Sequence, residues 1–175
     1  MDFTAERKAM VDSQVRVNDV TSHEIHKAMM AVPRENYCAP DRIFAAYSDA
    51  EVEIAADRRL MPARDLSKLL QAADAREGEK ALAIAAPYAA AVLARMGLTV
   101  TAQEAEQAVF DVVGAPLEAE GVATALAPLS RPVGEGWDLI VCEGGVAALP
   151  DAWGAALRIG GRMVLELTPA PSFAL

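Results

Sequence analysis

From Glu77-Gly78 onward, short apolar runs alternate with stretches of helical composition, and this alternation restricts the fold more than any other feature of the chain. KALAIA (80–85) reads as a strand, YAAAVLARM (88–96) as a helix stopped by Gly97, and LTVTA (98–102) as a second strand. Residues 104–113 predict a weaker helix, GVATAL (121–126) a third strand and DLIVC (138–142) a fourth. Residues 150–158 predict a helix before a turn at Gly160-Gly161, and RMVLEL (162–167) a fifth strand. Continuous apolar runs mark strands buried on both faces, and helices between them imply right-handed crossovers around a parallel sheet. The expected class is α/β, a doubly wound, mostly parallel sheet.

The first third reads differently. Met10, Val11 and Val15 begin an apolar stripe among charges. Thr21 with Glu24 three residues later has the form of a capping box. Ile25, Ala28, Met29 and Val32 then follow at helical spacing, and Pro33 ends the helix. Residues 38–61 read as irregular; Pro62 opens another helix with Leu66, Leu69, Leu70 and Ala73 on one face. The sheet thus carries a helical N-terminal extension.

Composition narrows the function classes. With 175 residues, 53% of them hydrophobic, the chain suits one compact domain and is not disordered. Alanine supplies 37 residues while aromatics are 5%, so the core is expected to consist of close-packed elements with few rings. A net charge of −9 argues against a nucleic-acid surface, which needs a basic patch. The longest weakly polar run, 81–94, is too short for a membrane span and is broken by Pro87. MDFTAERKAM lacks the apolar core of a signal peptide, and Cys38 and Cys142 make no disulfide framework or zinc signature. A cytoplasmic protein with reduced thiols is expected.

In sheets of this kind, ligands bind beyond the carboxyl ends of the strands, near the turn after the first strand. Nucleotide-type cofactors need glycines there and an acid after the second strand. The first turn here is Ala85-Ala86-Pro87-Tyr88, without glycine, and Pro87 removes a backbone donor. Glu104 stands where the acid belongs, although a lone Glu at a helix start also suits the helix dipole.

MVDSQVRVNDVTSHEIHKAMMAVPRENYCAP (10–40) resembles the N-terminal region of the protein-L-isoaspartate O-methyltransferase family. The similarity continues through Ala46-Tyr47-Ser48-Asp49 and DLSKLLQAA (65–73), and again in GWDLIVCEGGVAALPDAWGAALRIGGRMVLEL (136–167). The resemblance implies a Rossmann-like domain that binds S-adenosylmethionine and methylates the carboxylate of isoaspartate in damaged proteins. It divides the chain into an extension with the substrate-loop region (1–76) and a methyltransferase core (77–175), packed as one domain.

The departures from the family pattern fall on its functional motifs. The family's first strand ends in an acid followed by a Gly-x-Gly-x-Gly type loop; here Ala83 takes the acid position and the loop is about two residues shorter, with no glycine. The family's Thr-Ile-Ser segment, whose serine serves catalysis, corresponds to Arg59-Leu60-Met61, so Met61 replaces the hydroxyl. Asp49 and Glu51 remain nearby and suit a solvated loop equally well. No catalytic residue is then intact, and Ala85, Tyr88, Glu104 and Glu143 mark a vestigial cofactor pocket in which Pro87 and Tyr88 are expected to fill the space. S-adenosylmethionine binding is expected to be weak or lost, each missing hydrogen-bond partner costing about 1–3 kcal/mol. The reading is an inactive methyltransferase-like protein acting through protein contacts; the alternative is an active enzyme with an atypical cofactor loop, and a third is a binder of another small ligand in the remodelled pocket. After RMVLEL the sequence has only Thr168-Pro169-Ala170-Pro171-Ser172-Phe173-Ala174-Leu175, where the family continues with an antiparallel strand pair. RMVLEL is therefore expected to be an exposed edge, covered by a second copy or another protein.

The remaining motifs have plain readings beside the functional ones. His23 and His26 have a spacing compatible with a shared metal, but no third ligand is evident, and no metal is expected. Arg58 and Arg59 suit an anion or a solvated loop, and Cys142 a small core position. Glu143-Gly144-Gly145 follows the strongest strand, where a pocket or simply a tight turn would lie.

Overall fold

A computed structural model describes residues 2–168. The sequence-predicted strands form one five-stranded parallel sheet: β3 (Lys80–Ile84), β4 (Thr99–Glu104), β5 (Ala123–Leu126), β6 (Trp137–Val146) and β7 (Leu157–Leu167), in spatial order β5-β4-β3-β6-β7. Helices α4 (Pro87–Arg95), α5 (Gln107–Ala119) and α6 (Asp151–Ala156) connect them. The order reverses between β3 and β6, which creates the crevice where doubly wound sheets hold ligands. This is the Rossmann-like, doubly wound arrangement expected from the alternation.

Side chains alternate across the sheet. Ala81, Ala83, Leu139 and Val141 face one core, shared with α4 and with the N-terminal residues Met10, Val15, Ile25 and Met29. Leu82, Ile84, Ile140 and Cys142 face a smaller core with Trp137 and Trp153. Ala81 and Ala83 are small enough to let α4 approach closely, and residues Tyr88 to Leu93 of that helix are all inaccessible to solvent. The alanine surplus thus serves close helix–sheet packing.

The extension comprises α1 (Thr4–Met10), a π-turn at Val11–Val15, α2 (His23–Ala31) and α3 (Ala63–Ala73). Some local expectations need correction. The N-cap of α2 is Ser22, whose Oγ accepts from the Ile25 N–H at 3.3 Å, while Thr21 lies one residue before it and donates its N–H to Gln71 Oε1 at 2.6 Å. The stretch read as irregular contains a hairpin, β1 (Val52–Ala55) paired with β2 (Arg58–Leu60), turned by Ala56 and Asp57 at φ +48° and +63°. Helix α5 starts at Gln107 and runs through Pro116 to Ala119. Gly160-Gly161 is no inter-element turn but lies in a bulge within β7, where a Cβ on Gly161 would sit 2.8 Å from the Trp137 carbonyl oxygen. Among the described residues β7 is an edge strand, as expected of RMVLEL; the segment Pro169 to Leu175 lies outside the described residues.

Candidate functional site

The switch point brings together the ends of β3, β4 and β6. Ala85, which follows β3, adopts φ +52°, and its N–H donates to the Gln103 carbonyl at 3.0 Å. Ala86 caps α4, and both alanines are buried. The third residue of α4, Ala89, would have an orphan N–H; it donates instead to Glu143 Oε1 at 3.1 Å. A carboxylate there also faces the positive end of the helix dipole.

Glu143 reaches that position because β6 bulges. Residues 142–144 face a single residue of β7 between the pairs Val141↔Val164 and Gly145↔Glu166. Bulges re-aim side chains in this way. A Cβ on Gly145 would lie 2.5 Å from Thr168 Cγ2, so the Thr168 side chain would have to turn away from any other residue here. Glu143 is 4% exposed, and its Oε2 has no hydrogen-bond partner. Burial pushes its carboxyl up to about 7, against the opposing pull of Arg34 and the Ala89 N–H.

Glu104, at the end of β4, is 1% exposed and is gripped by the hairpin. Arg58 Nε donates to Oε1 at 2.9 Å and Nη2 to Oε2 at 3.1 Å, a forked pair. Burial raises the Glu104 carboxyl above its ordinary range while Arg58 pulls it back. Next to it Gln103 pins the connection before β6: its amide donates to the Pro128 and Arg131 carbonyls at 2.9 and 2.8 Å and accepts from the Val133 N–H at 2.9 Å.

Tyr88 points into the core. Its ring lies 5.5 Å from that of Tyr37, edge-on, and 4.9 Å from the Arg34 guanidinium, with its hydroxyl buried and unpartnered. Burial pushes that phenol up to about 12. Arg34 is fully buried, donates to the Ala46 and Met61 carbonyls at 2.8 and 2.6 Å, and leaves Nη1 without a partner. Ala83 sits in mid-strand between Ala102 and Val141. Of the candidates from the sequence, Ala85, Glu104 and Glu143 meet around the crevice, while Tyr88 turns beneath α4 toward the extension. Arg34 was not singled out from the sequence; an arginine in a Pro-Arg-Glu stretch gives no local sign that it is buried.

Met61 lies on the wall of a neighbouring cleft of about 470 Å³ between the hairpin tip and the β6 bulge, with Asp57, Arg59, Glu143 and Glu166 among its lining. Glu51 lines the cleft as well and pairs with Arg59 at 3.6 Å, both on the surface; Asp49 pairs with Arg64 at 3.4 Å. His26 is buried with Nε2 2.8 Å from the Val20 carbonyl oxygen, and the His23 ring stands 5.9 Å away at right angles. Cys142 is buried, as a small core position requires, and burial raises its thiol to about 11. Among the described residues no helix is long and apolar enough to cross a membrane.

Comparison with known proteins fits this geometry. Residues 5–112 match the family model described as protein-L-isoaspartate(D-aspartate) O-methyltransferase (PCMT). A protein-L-isoaspartate O-methyltransferase of Methylorubrum extorquens (strain PA1) is 30% identical over 175 residues, covering 96% of this chain and 76% of that protein. Protein-L-isoaspartate O-methyltransferase 1 of Rhodopseudomonas palustris (strain HaA2) is 32% identical over 172 residues, covering 94% and 70%. Among solved structures, a protein-L-isoaspartate O-methyltransferase superimposes with a TM-score of 0.74 at 19% identity; the match covers 90% of this chain and only 54% of that one. A Plasmodium falciparum structure described as a protein-L-isoaspartate O-methyltransferase in complex with S-adenosyl-L-homocysteine gives 0.77 at 12% identity, covering 98% and 86%. At these identities the solved structures speak for the fold, a Rossmann-like methyltransferase fold. The sequence matches go further: this chain belongs to the protein-L-isoaspartate O-methyltransferase family.

Proposed function

We propose that this chain is a family member whose methyl transfer is impaired or lost, and that it acts through protein contacts. The observation that carries the reading is that the acid at the crevice and the Ala89 N–H of α4 are already taken by side chains of this chain. The Arg58 fork occupies both oxygens of Glu104, and the Glu143 carboxylate occupies the Ala89 N–H. A nucleoside cofactor such as S-adenosylmethionine would need acceptors for its hydroxyls and donors for its carboxylate at these places. The turn residues Ala85 and Ala86 carry methyl groups where a glycine loop would let such a ligand approach the backbone. The residues present do not fit that cofactor. Met61 supplies no hydroxyl to the neighbouring cleft.

Calorimetry with S-adenosylmethionine tests the reading: heat that saturates at micromolar ligand overturns it. A second reading, an active protein O-methyltransferase with an atypical loop, is favoured by relatives of that name at 30% and 32% identity. Methyl incorporation into an isoaspartyl peptide would support it.

The contact surface in this proposal is β7, the sheet edge, with Ile159 99% and Leu167 68% exposed. Among the described residues no strand pairs with the outer edge of β7, and an edge of this length invites a second copy or another protein chain. Sedimentation at micromolar concentration is expected to show a dimer that Ile159→Lys weakens; a monomer that also captures no partner counts against it. The two buried, unpaired cysteines suit the cytoplasmic setting proposed for the protein.

A further inference from the structure

We propose that Arg34, Tyr88 and Glu143 together hold one buried water molecule beside the first turn of α4. Arg34 Nη1, Tyr88 Oη and Glu143 Oε2 are buried and lack hydrogen-bond partners among the described residues. Arg34 and Tyr88 are 0% exposed and Glu143 4%, so bulk solvent does not satisfy them. Buried polar groups are almost always paired, and three orphans in one place would be costly.

The geometry gathers the three. Arg34 Nε and Nη2 donate to the Ala46 and Met61 carbonyls at 2.8 and 2.6 Å, which leaves Nη1 on the far side of the guanidinium. That guanidinium lies 4.9 Å from the Tyr88 ring. Glu143 Oε1 accepts from the N–H of Ala89, the residue after Tyr88, at 3.1 Å. Arg34 exerts the largest charge effect on both the Glu143 carboxyl and the Tyr88 phenol, and Glu143 acts on Tyr88 in turn. The extension, α4 and the β6 bulge therefore meet at this point.

The chemistry of the three atoms selects the ligand. Nη1 only donates, a carboxylate oxygen only accepts, and a phenol hydroxyl does either. One species must accept and donate at once, without net charge. Chloride would stand beside the Glu143 carboxylate and a sodium ion beside the Arg34 guanidinium, each a like-charge contact away from solvent. A water accepts from Nη1, donates to Oε2 and makes its third hydrogen bond to the Tyr88 hydroxyl. Buried waters make about three hydrogen bonds to groups of this kind. The water would link the Arg34 guanidinium to Glu143 and help to hold that carboxylate on the Ala89 N–H. The inference goes beyond the loss of methyl transfer and stands whether or not the crevice takes up S-adenosylmethionine.

A high-resolution crystal structure of the full chain, grown at pH 8, tests the assignment. A single water is expected within hydrogen-bond distance of Nη1, Oη and Oε2. A direct contact between Nη1 and Oε2, or no density among the three atoms, would overturn it. The stability of Tyr88→Phe gives a second readout, with opposite signs for the two cases. A hydroxyl bonded to the water contributes a net hydrogen bond, so its removal should lower the folded-to-unfolded ratio about fivefold in urea titrations. Removing an orphaned hydroxyl would leave the ratio unchanged or raise it. Either of those results would overturn the inference even with a water in the density.

Discussion

The guanidinium of Arg58 lies in a forked pair on the carboxylate of Glu104, 46 residues away, and closes the hairpin over the end of β4. Glu104 is almost fully buried and Arg58 20% exposed at its side chain. This one contact therefore ties the extension to the sheet and occupies the acid at the crevice at the same time. A buried charge of this kind is tolerated only because its partner is in place.

Arg58→Ala leaves Glu104 buried without a counter-charge. Removing one partner of a buried pair costs about 3–5 kcal/mol when both are fully desolvated, so a loss of about 2–4 kcal/mol is expected here at pH 7. The loss should shrink as pH falls, because burial already raises the Glu104 carboxyl and protonation removes the buried charge, and adding Glu104→Gln should recover part of it. Urea denaturation at pH 7 and at a lower pH measures both effects. If Arg58 does block the crevice, the same variant gains affinity for S-adenosylmethionine by about tenfold, which calorimetry reads directly.

Much of this architecture was legible because the sheet residues obey one rule. ALAI (81–84) and LIVC (139–142) are apolar without interruption, and both of their faces are covered, so length and pattern agreed with the final fold. The site was only half legible. Glu104 and Glu143 were found by their position after strands, where ligands gather. Their partners were not, because Arg58 comes from a hairpin whose turn, Ala56-Asp57, lacks the glycine or asparagine that usually announces it. The β6 bulge was equally hidden: Glu143-Gly144-Gly145 reads as a turn, and only the pairing with β7 shows a strand that continues to Val146. Tyr88 was placed in the crevice by sequence adjacency, while helix geometry directs it to Tyr37 and Arg34.

Ala85 keeps a left-handed backbone at φ +52° without being glycine. For an alanine that conformation costs about 1–2 kcal/mol, and glycine regains part of it against its greater freedom in the unfolded chain. Ala85→Gly is therefore expected to stabilise the protein by about 0.5–1 kcal/mol in thermal unfolding. It leaves the Arg58 and Glu143 contacts in place and removes only one of the two turn methyl groups, so cofactor affinity should rise less than in Arg58→Ala. A destabilised Ala85→Gly would mean that the methyl group, 2% exposed in the second core, contributes more packing than the strain removes.

Arg162 anchors the edge strand to the turn before β3. Its guanidinium donates to the Ala73 carbonyl at 2.7 Å, the Asp74 carbonyl at 3.1 Å, and Glu79 at 2.9 and 2.5 Å. Arg162→Ala removes four contacts, of which the two to backbone carbonyls also satisfy the end of α3; a loss of about 2–3 kcal/mol is expected. The hydrogen bond from Arg162 holds the Glu79 carboxyl below its ordinary value of 4.5. A carboxyl lowered in the folded state stabilises above 4.5, and this contribution is lost as pH falls through the folded value. The variant should accordingly lose stability less steeply than the parent between pH 5 and pH 3, in denaturant titrations at matched salt.

Glu143 gives the opposite pH signature. Its folded value, about 7, lies above the ordinary 4.5, so between those values the folded state holds a proton that the unfolded state has released. The stability this provides is fully present below pH 4.5 and is lost as pH rises to about 7, after which the charged carboxylate stays buried. Glu143→Gln mimics the protonated form at every pH and keeps an oxygen for the Ala89 N–H. The variant should match the parent near pH 4.5 and exceed it at pH 8 by up to on the order of 3 kcal/mol, from about 1.4 kcal/mol for each unit between 4.5 and 7. Glu104, also raised by burial, adds a slope of the same sign that persists in the variant. Stability curves at four pH values separate the two, and parallel curves for parent and variant would show that Glu143 is already ionised at pH 5.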